Sequence, residues 1–460
     1  MTATEARIPP HDLDAEGVVH SGILNAPERL DTILDILRPE HFYSEANRRI
    51  YEAVLDLSAR GVPIDYVAVA GLLKDRDRLS QIGGAAYLVE IQDNIPFAPD
   101  LESHAKRIRN KARRRKLIAT AQRIAAESYG PIEDDEAFFD SSEQAIFEIA
   151  CDTVANTVCR VSEVTTAVWE QLELARQRRG VTGVATGLTD FDRLTGGAHR
   201  KQLTVVAART SMGKTAFVTD VALRLADMGF GVAFFSPEMT KEEVVLRGAC
   251  SLSRVNIAGA VRNALNDADR GELFDGISRI HRMPIWIDDT ASPSLLSLRA
   301  RIRRIKAECK QHVHEDGRPR TLGLVVVDGL QLCRGVRLKG MSREEEVASV
   351  ARGLKEIAKD CDVPLWAVAQ LSRAVETRNA KDNRPRLSDL RESGEIEQSA
   401  DNVFFLYRDE YYDPDSKDKG IAELIAAKQR NGPRNAMVKL AFAAACTRFD
   451  NLAPGYHAGE

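Results

Sequence analysis

At 460 residues the chain is too long for one ordinary hydrophobic core, so two domains are the natural expectation. A content of 44% hydrophobic and 29% charged residues is that of a globular protein and excludes a disordered one. The formal net charge of -4 supplies no global positive field, so any contact with nucleic acid has to be built from local basic loops.

The opening stretch, MTATEARIPPHDLDAEG, is polar and acidic and has no apolar signal-peptide core. No apolar run approaches the length of a membrane span, so a cytoplasmic protein without a membrane partner is expected. Residues 1–125 read as mostly helical. Ile50, Val54 and Leu57 recur at helical spacing between Ala46 and Gly61, and Gly61 suits a C-terminal cap. Asp65 caps a further helix through Leu73, and Leu101–Ala125 forms another that carries the basic run from Lys106 to Lys116. That run reads as a solvated helix face rather than a nucleic-acid site. An acidic break, Tyr129–Asp135, precedes a helix over Ser141–Cys151, with Ser141 and Gln144 spaced as a capping box. The N-terminal domain is therefore placed at residues 1–155.

Residues 156–180 read as a linker helix, helix-forming from Ser162 to Arg179 and closed by Gly180. Its apolar side, Val168 and Leu172, calls for a partner surface. From 181 to 460 short apolar runs alternate with helical stretches. The predicted strands are Leu203–Ala207, Gly231–Phe235, Pro284–Ile287, Leu322–Val327, Pro364–Ala369, Asn402–Leu406 and Ile421–Ala427. This alternation implies a mostly parallel sheet covered on both faces. Asn431-Gly432, between Ile421–Arg430 and Ala436–Phe442, predicts a terminal β-hairpin. The basic helix Arg299–Lys310 reads as a solvated face. Cys250, Cys309, Cys333 and Cys361 sit in or beside apolar stretches, which suits reduced thiols packed as small hydrophobes and not zinc ligands.

The chemistry concentrates in Ala208-Arg209-Thr210-Ser211-Met212-Gly213-Lys214-Thr215, between a predicted strand and a predicted helix. That is the context of a phosphate-binding loop, whose N–H groups cradle phosphates. Arg209, Thr210, Ser211, Met212 and Gly213 would line it. Lys214 would reach the β- and γ-phosphates of ATP, and the Thr215 hydroxyl would ligate Mg²⁺. The strict pattern begins with glycine; alanine, present at 208, cannot adopt every conformation open to glycine. Leu324–Val327 ends in Asp328, suited to hold Mg²⁺ through water. Glu238 follows a neighbouring strand, where a carboxylate can orient the attacking water, and Gln370 ends another, where its amide can sense the γ-phosphate. Lys428 and Arg430, two apart on one strand, share a face and need anions. Supplied in trans to a neighbour's γ-phosphate, they would require a ring or filament.

Several of these motifs occur together in one known family. Arg209–Thr215, Ser236-Pro237-Glu238-Met239, Val326–Leu332, Ala369–Arg373, Asp389–Gln398 and Lys428-Gln429-Arg430-Asn431-Gly432 appear in that order, after the opening Pro9–Glu16. On these residues the chain resembles the DnaB replicative DNA helicases over nearly its whole length. It departs from the usual pattern at Thr210 (proline in the family), Pro237 (leucine) and Gly329 (tyrosine). The resemblance implies an α-helical N-terminal domain that engages primase, a linker helix docked on the adjacent subunit, and an α/β RecA-like motor. It further implies a homohexamer that opens through a helicase loader and moves five-prime to three-prime on single-stranded DNA at the fork. Arg430 would be the arginine finger and Lys428 its companion. Arg391, Glu392 and Gly394 fall in the family's DNA-backbone loop. A flexible basic loop carrying Arg334, Arg337, Lys339 and Arg343 offers further phosphate contacts, with sequence-independent, salt-sensitive binding expected. The alternative is a RecA-like DNA-binding ATPase, filament or clamp, that does not unwind. An inactive scaffold would be expected to have lost Lys214, Glu238 or Arg430, and all three are present.

Overall fold

Asp12 opens the first helix by accepting the Ala15 N–H at 3.0 Å, and the same device recurs at Asp65, Asp100, Thr240, Ser294 and Ser342. The computed structural model describes residues 8–94, 100–132, 135–151, 161–177, 181–313, 319–335, 342–372, 383–390, 394–433 and 436–452. The chain divides into two units, residues 1–161 and 162–460. The expected domain limit at 155 and the linker end at Gly180 lie outside the described residues.

The first unit contains α1 (Leu13–Asn25), α2 (Glu45–Ala59), α3 (Tyr66–Asp75), α4 (Ala85–Asn94), α5 (Leu101–Ser128) and α6 (Asp135–Cys151). Ile50, Val54 and Leu57 of α2 enter its core with Val19 and Ile23 of α1 and Ala105 and Ile108 of α5. Gly61 follows α2 with φ +66°, the left-handed cap that its residue type predicts. The basic run on α5 is partly a solvated face, with Lys106, Arg107, Arg114 and Lys116 exposed, and partly tied to the first unit. Arg107 pairs with Asp12 at 2.6 Å, Arg113 donates to the Ile149 carbonyl, and Arg115 donates to the Pro10 and His41 carbonyls. One expectation fails here. Helix α6 starts at Asp135, and Ser141 lies inside it with Oγ donating to the Phe138 carbonyl (2.9 Å), so it caps nothing.

The second unit contains α7 (Val161–Gln177), α8 (Thr189–Thr195), α9 (Lys214–Asp227), α10 (Lys241–Ser253), α11 (Ile257–Val261), α12 (Asp267–His281), α13 (Leu295–Cys309), α14 (Arg343–Cys361), α15 (Gly394–Ser399) and α16 (Asp409–Tyr412). Its strands are β1 (Leu203–Ala208), β2 (Gly231–Phe235), β3 (Ile285–Asp288), β4 (Leu322–Asp328), β5 (Leu365–Gln370), β6 (Asn402–Tyr407), β7 (Ile421–Gln429), β8 (Met437–Ala443) and β9 (Arg448–Asn451). They form one sheet in the order β3-β2-β4-β5-β1-β6-β7-β8-β9, parallel through β6 and antiparallel beyond. All six residues of β1 are buried. Leu203, Val205 and Ala207 face α13 and α14, while Val206 and Ala208 face α9 and the aromatic cluster of Phe191, Phe217, Trp366, Phe404 and Phe449. Coverage of both faces explains why these strands read as continuous apolar runs.

The terminal hairpin differs in detail. Arg430 lies just past β7, and residues 430–436 join β7 to β8, too long for a two-residue Asn-Gly turn. Strand β9, which pairs with β8, has no period-two signal in the sequence and is an addition to the expected strands. The basic helix α13 is tied down by acids, with Arg299 on Asp360 (3.3 Å) and Arg301 on Asp288. Cys250, Cys309, Cys333 and Cys361 are buried. Among the described residues no helix is long and apolar enough to cross a membrane. Helix α7 leaves Val164, Val168, Trp169 and Leu172 exposed.

Phe217 of α9 stacks on Trp366 with ring centroids 6.1 Å apart and meets Phe449 edge-on at 5.5 Å. Its truncation removes the contact that seats α9 on the sheet. Phe217→Ala is expected to destabilise the second unit by about 3–5 kcal/mol, seen in scanning calorimetry as a lowered transition that leaves the first unit's transition in place.

Candidate nucleotide site

The loop 209–213 springs from β1 between two flanking strands. Ala208 is the last residue of β1, paired with Gln370 of β5, so it takes an extended backbone that alanine accepts without strain. The left-handed positions fall instead at Ser211 (φ +64°) and Gly213 (φ +100°). At Gly213 a side chain would be both strained and crowded, because its Cβ would lie 3.2 Å from the Phe449 ring. Arg209 is buried and donates to the Leu371 carbonyl at 2.8 Å, anchoring the loop to the end of β5. Gly213 caps α9 without a side-chain bond to the helix, so the first N–H groups of α9 meet the loop unclaimed by a capping side chain.

Lys214 opens α9 and folds its ammonium onto the loop's own Arg209 carbonyl at 2.9 Å. Burial pushes its pKa down to about 8, against the upward pull of the Glu238 and Asp328 carboxylates. Thr215 Oγ1 donates to Asp328 Oδ1 at 3.2 Å. The second oxygen, Oδ2, is buried and has no hydrogen-bond partner among the described residues. Burial pushes Asp328 up to about 6 despite the Thr215 bond. A buried carboxylate with one vacant oxygen beside a threonine hydroxyl fits a hard divalent cation, which takes oxygen ligands.

Glu238 sits at the end of β2 in a turn fixed by Ser236, whose Oγ bonds the Met239 main chain. It is exposed, and its charge reaches both Lys214 and Asp328. Gln370 ends β5, between the ends of β1 and β4. Thus Thr210, Ser211, Lys214, Thr215, Asp328, Glu238 and Gln370 all gather at the C-terminal edge of the parallel strands, where open α/β sheets bind ligands.

Two residues of this edge escape sequence reasoning. Arg408 packs over the Phe442 ring (4.3 Å) and reaches the Ser211 carbonyl at 3.5 Å. Arg247 of α10 lies near enough for its charge to favour ionised Asp328. Arg408 precedes a short helix and Arg247 lies mid-helix, so neither carries a local sequence signal.

The other predicted residues are elsewhere. Lys428 donates to the Ala400 carbonyl at 2.8 Å and to those of Glu397 and Gln398, main-chain oxygens at the end of α15. Arg430 pairs with Asp401 at 2.9 Å. Arg343 opens α14 and is held by Glu346 (2.7 Å) and the Gln331 carbonyl. Arg334 is exposed, its N–H bonded to the Pro293 carbonyl, and Gly394 is the first residue of α15. Arg337, Lys339, Arg391 and Glu392 lie outside the described residues.

A family model described as the DnaB-like helicase C terminal domain matches residues 183–451, and one described as the DnaB-like helicase N terminal domain matches residues 8–110. The chain is 38% identical over 448 residues to the replicative DNA helicase DnaB of Geobacillus stearothermophilus, covering 97% of this chain and 96% of that protein. Among solved structures, a DnaB-like replicative helicase described with its interactions with primase superposes with a TM-score of 0.73 at 33% identity, over 96% of this chain and 100% of that one. A second solved structure, described as an ATPase domain, superposes with a TM-score of 0.58 at 37% identity, over 64% of this chain and 100% of that one.

Lys214→Ala should abolish ATP hydrolysis; near-normal turnover in a steady-state assay would remove Lys214 from the site. The depressed lysine gives a second test. Above pH 8 the free ammonium is increasingly neutral, whereas bound phosphates favour its charged form. Nucleotide binding between about pH 8 and the ordinary lysine value of 10.5 should therefore take up a proton, and affinity should fall as pH rises through that window. Calorimetric titration in buffers of different ionisation enthalpy reads the uptake, and a binding heat independent of buffer contradicts it.

Proposed function

This chain belongs to the DnaB family of ATP-dependent replicative DNA helicases, and from that premise we propose that Arg430 of a neighbouring copy completes each nucleotide site within a hexameric ring. One observation carries the reading: Arg430 and the phosphate loop occupy opposite ends of β1. The Asp401 that pairs with Arg430 also accepts the N–H of Leu203, the first residue of β1, while the loop leaves from Ala208, the last. A six-residue strand spans roughly 17 Å at about 3.3 Å per residue, with a packed sheet between its ends. The guanidinium therefore serves another copy's nucleotide.

The substrate is ATP, and its phosphates lie along the N–H groups of 210–215 with Lys214 on the β- and γ-oxygens. Thr215 and, through water, Asp328 would hold Mg²⁺, which would supply positive charge to the phosphate oxygens. Glu238 orients and polarises the attacking water. Gln370, between the ends of β1 and β4, senses whether the γ-phosphate is present. Arg430 of the adjacent copy stabilises the transition-state charge, since a planar fork of donors matches phosphate oxygens. Lys428, anchored at the end of α15, is its companion at the neighbour's γ-phosphate.

The exposed row on α7 docks on the adjacent subunit, burying Val168, Trp169 and Leu172. Single-stranded DNA is bound through Arg334, Arg337, Lys339, Arg343, Arg391, Glu392 and Gly394 during five-prime to three-prime movement. The first unit meets primase, the partner named for the structural relative, and a loader opens the ring at the fork in the cytoplasm. A filament or clamp without unwinding is set aside, because the matched relatives are replicative helicases.

Unwinding of a forked duplex, with native mass measured alongside, tests the reading; the wild type should unwind as a hexamer and Lys214→Ala should not. Inactive Arg430→Ala subunits mixed with inactive Glu238→Ala subunits should partially recover hydrolysis, because some mixed interfaces hold both intact groups. No recovery at any ratio counts against sites shared between copies.

A further inference from the structure

Arg430 stands on an acid that also holds other parts of the fold. Asp401 is 2% exposed, whereas Arg430 is 67% exposed, so the contact joins a buried carboxylate to a guanidinium that mostly faces outward. One nitrogen of Arg430 donates to Asp401 Oδ1 at 2.9 Å. The main-chain N–H of Arg430 donates to the Asp401 carbonyl at 3.0 Å. Asp401 thus contacts the finger residue at both its backbone and its tip, with Asn402 Oδ1 accepting the same main-chain N–H at 3.4 Å.

Asp401 itself is held on every side. Its Oδ2 accepts the Leu203 N–H at 2.9 Å and the ammonium of Lys355, and its own N–H donates to the Leu203 carbonyl at 2.9 Å. Lys355, on α14, also donates to the Lys201 carbonyl (2.8 Å). Burial works to raise the Asp401 pKa, but the bonds from Lys355, Leu203 and Arg430 outweigh it and hold the carboxyl below its ordinary value. Lys355 gives the carboxylate a second cation, which remains when the guanidinium turns away. Next to it, Lys428 clamps the carbonyls that end α15, and Glu395 of α15 pairs with Arg352 of α14.

We propose that Asp401 is a positioning residue for the arginine finger: its buried carboxylate holds one guanidinium nitrogen of Arg430 so that the remaining donors point out toward the neighbouring copy's γ-phosphate. An unheld arginine spreads over many rotamers, and a fixed base cuts the ordering cost at the moment of transfer. Asp401 touches neither nucleotide nor metal in its own chain, lying at the end of β1 opposite the phosphate loop. The proposal rests on Arg430 acting in trans, so its test has to separate the two.

Asp401→Asn keeps the shape and an acceptor for Leu203 while weakening the hold on Arg430. Its kcat for DNA-stimulated ATP hydrolysis should fall by roughly tenfold, with KM for ATP close to wild type, since a charge-assisted hydrogen bond is lost from the donor side only. Subunit mixing then identifies which side is damaged. Asp401→Asn mixed with Glu238→Ala should exceed the sum of the separate activities, as Arg430→Ala with Glu238→Ala does. Asp401→Asn mixed with Arg430→Ala should not. The reverse pattern, recovery with Arg430→Ala, would mean that Asp401 supports its own chain's site through β1 and overturns the proposal. If Arg430→Ala and Glu238→Ala fail to complement each other, the shared-site reading falls and this one with it. Should Asp401→Asn not assemble, Asp401→Glu retains the charge that Lys355 requires while displacing the carboxylate by a methylene, and the same mixing pattern is expected.

Discussion

A strand buried on both faces can place charge only at its two ends. β1 is such a strand, with Val205 and Val206 on opposite sides of a sheet covered by α13 and α14 on one face and α9 on the other. Every ionisable group that matters to the site sits above or below it. Lys214, Thr215 and Asp328 crowd the C-terminal end, where Asp328 keeps one buried oxygen without a partner among the described residues. Asp401, Lys355 and Arg430 crowd the N-terminal end, in a cluster where each cation has an anion or a carbonyl. An unpaired carboxylate oxygen in a buried site is costly, and it persists where a ligand restores the balance. The two ends therefore differ in kind: one is complete and the other waits for charge.

Much of this is legible in the amino-acid sequence. Eight of the nine strands among the described residues announce themselves as short apolar runs, and Asp65, Gly61 and the phosphate loop fall where their residue types predict. What escapes has a physical reason in each case. β9 is short, and its Phe449 is buried by an aromatic cluster assembled from residues far apart in the chain. Ser141 has the right spacing for a cap but sits where α6 is already under way, because the helix begins six residues earlier. Lys428 also donates to carbonyls at the end of α15, partners visible only after folding. Arg408 and Asp401 carry no motif of their own, since their partners lie about 200 residues away, at Ser211 and Leu203.

The departure from the strict phosphate-loop pattern at Ala208 and the departure from the family pattern at Gly329 each have a local structural reason. Ala208 ends a paired strand and needs no glycine, because Ser211 and Gly213 absorb the left-handed turns. Gly329 follows Asp328 with φ +126°, a conformation that side chains rarely adopt, and a Cβ there would lie 3.6 Å from Pro237. Gly329 and Pro237 thus face each other across the ends of β4 and β2. The carboxylates beside them, Asp328 and Glu238, keep their places.

On the proposal that Arg430 completes a neighbour's site, the giving and receiving groups lie at opposite ends of one strand, and each copy is directional, with a head and a tail. Copies joined head to tail form a heterologous contact, which no two-fold dimer can satisfy on both sides. In an open row the last loop always lacks a finger, so complete sites number one fewer than the copies. Closure supplies the missing one. Breaking such a circle to admit a DNA strand would then cost a single site, at the gap, and leave every other interface able to turn over.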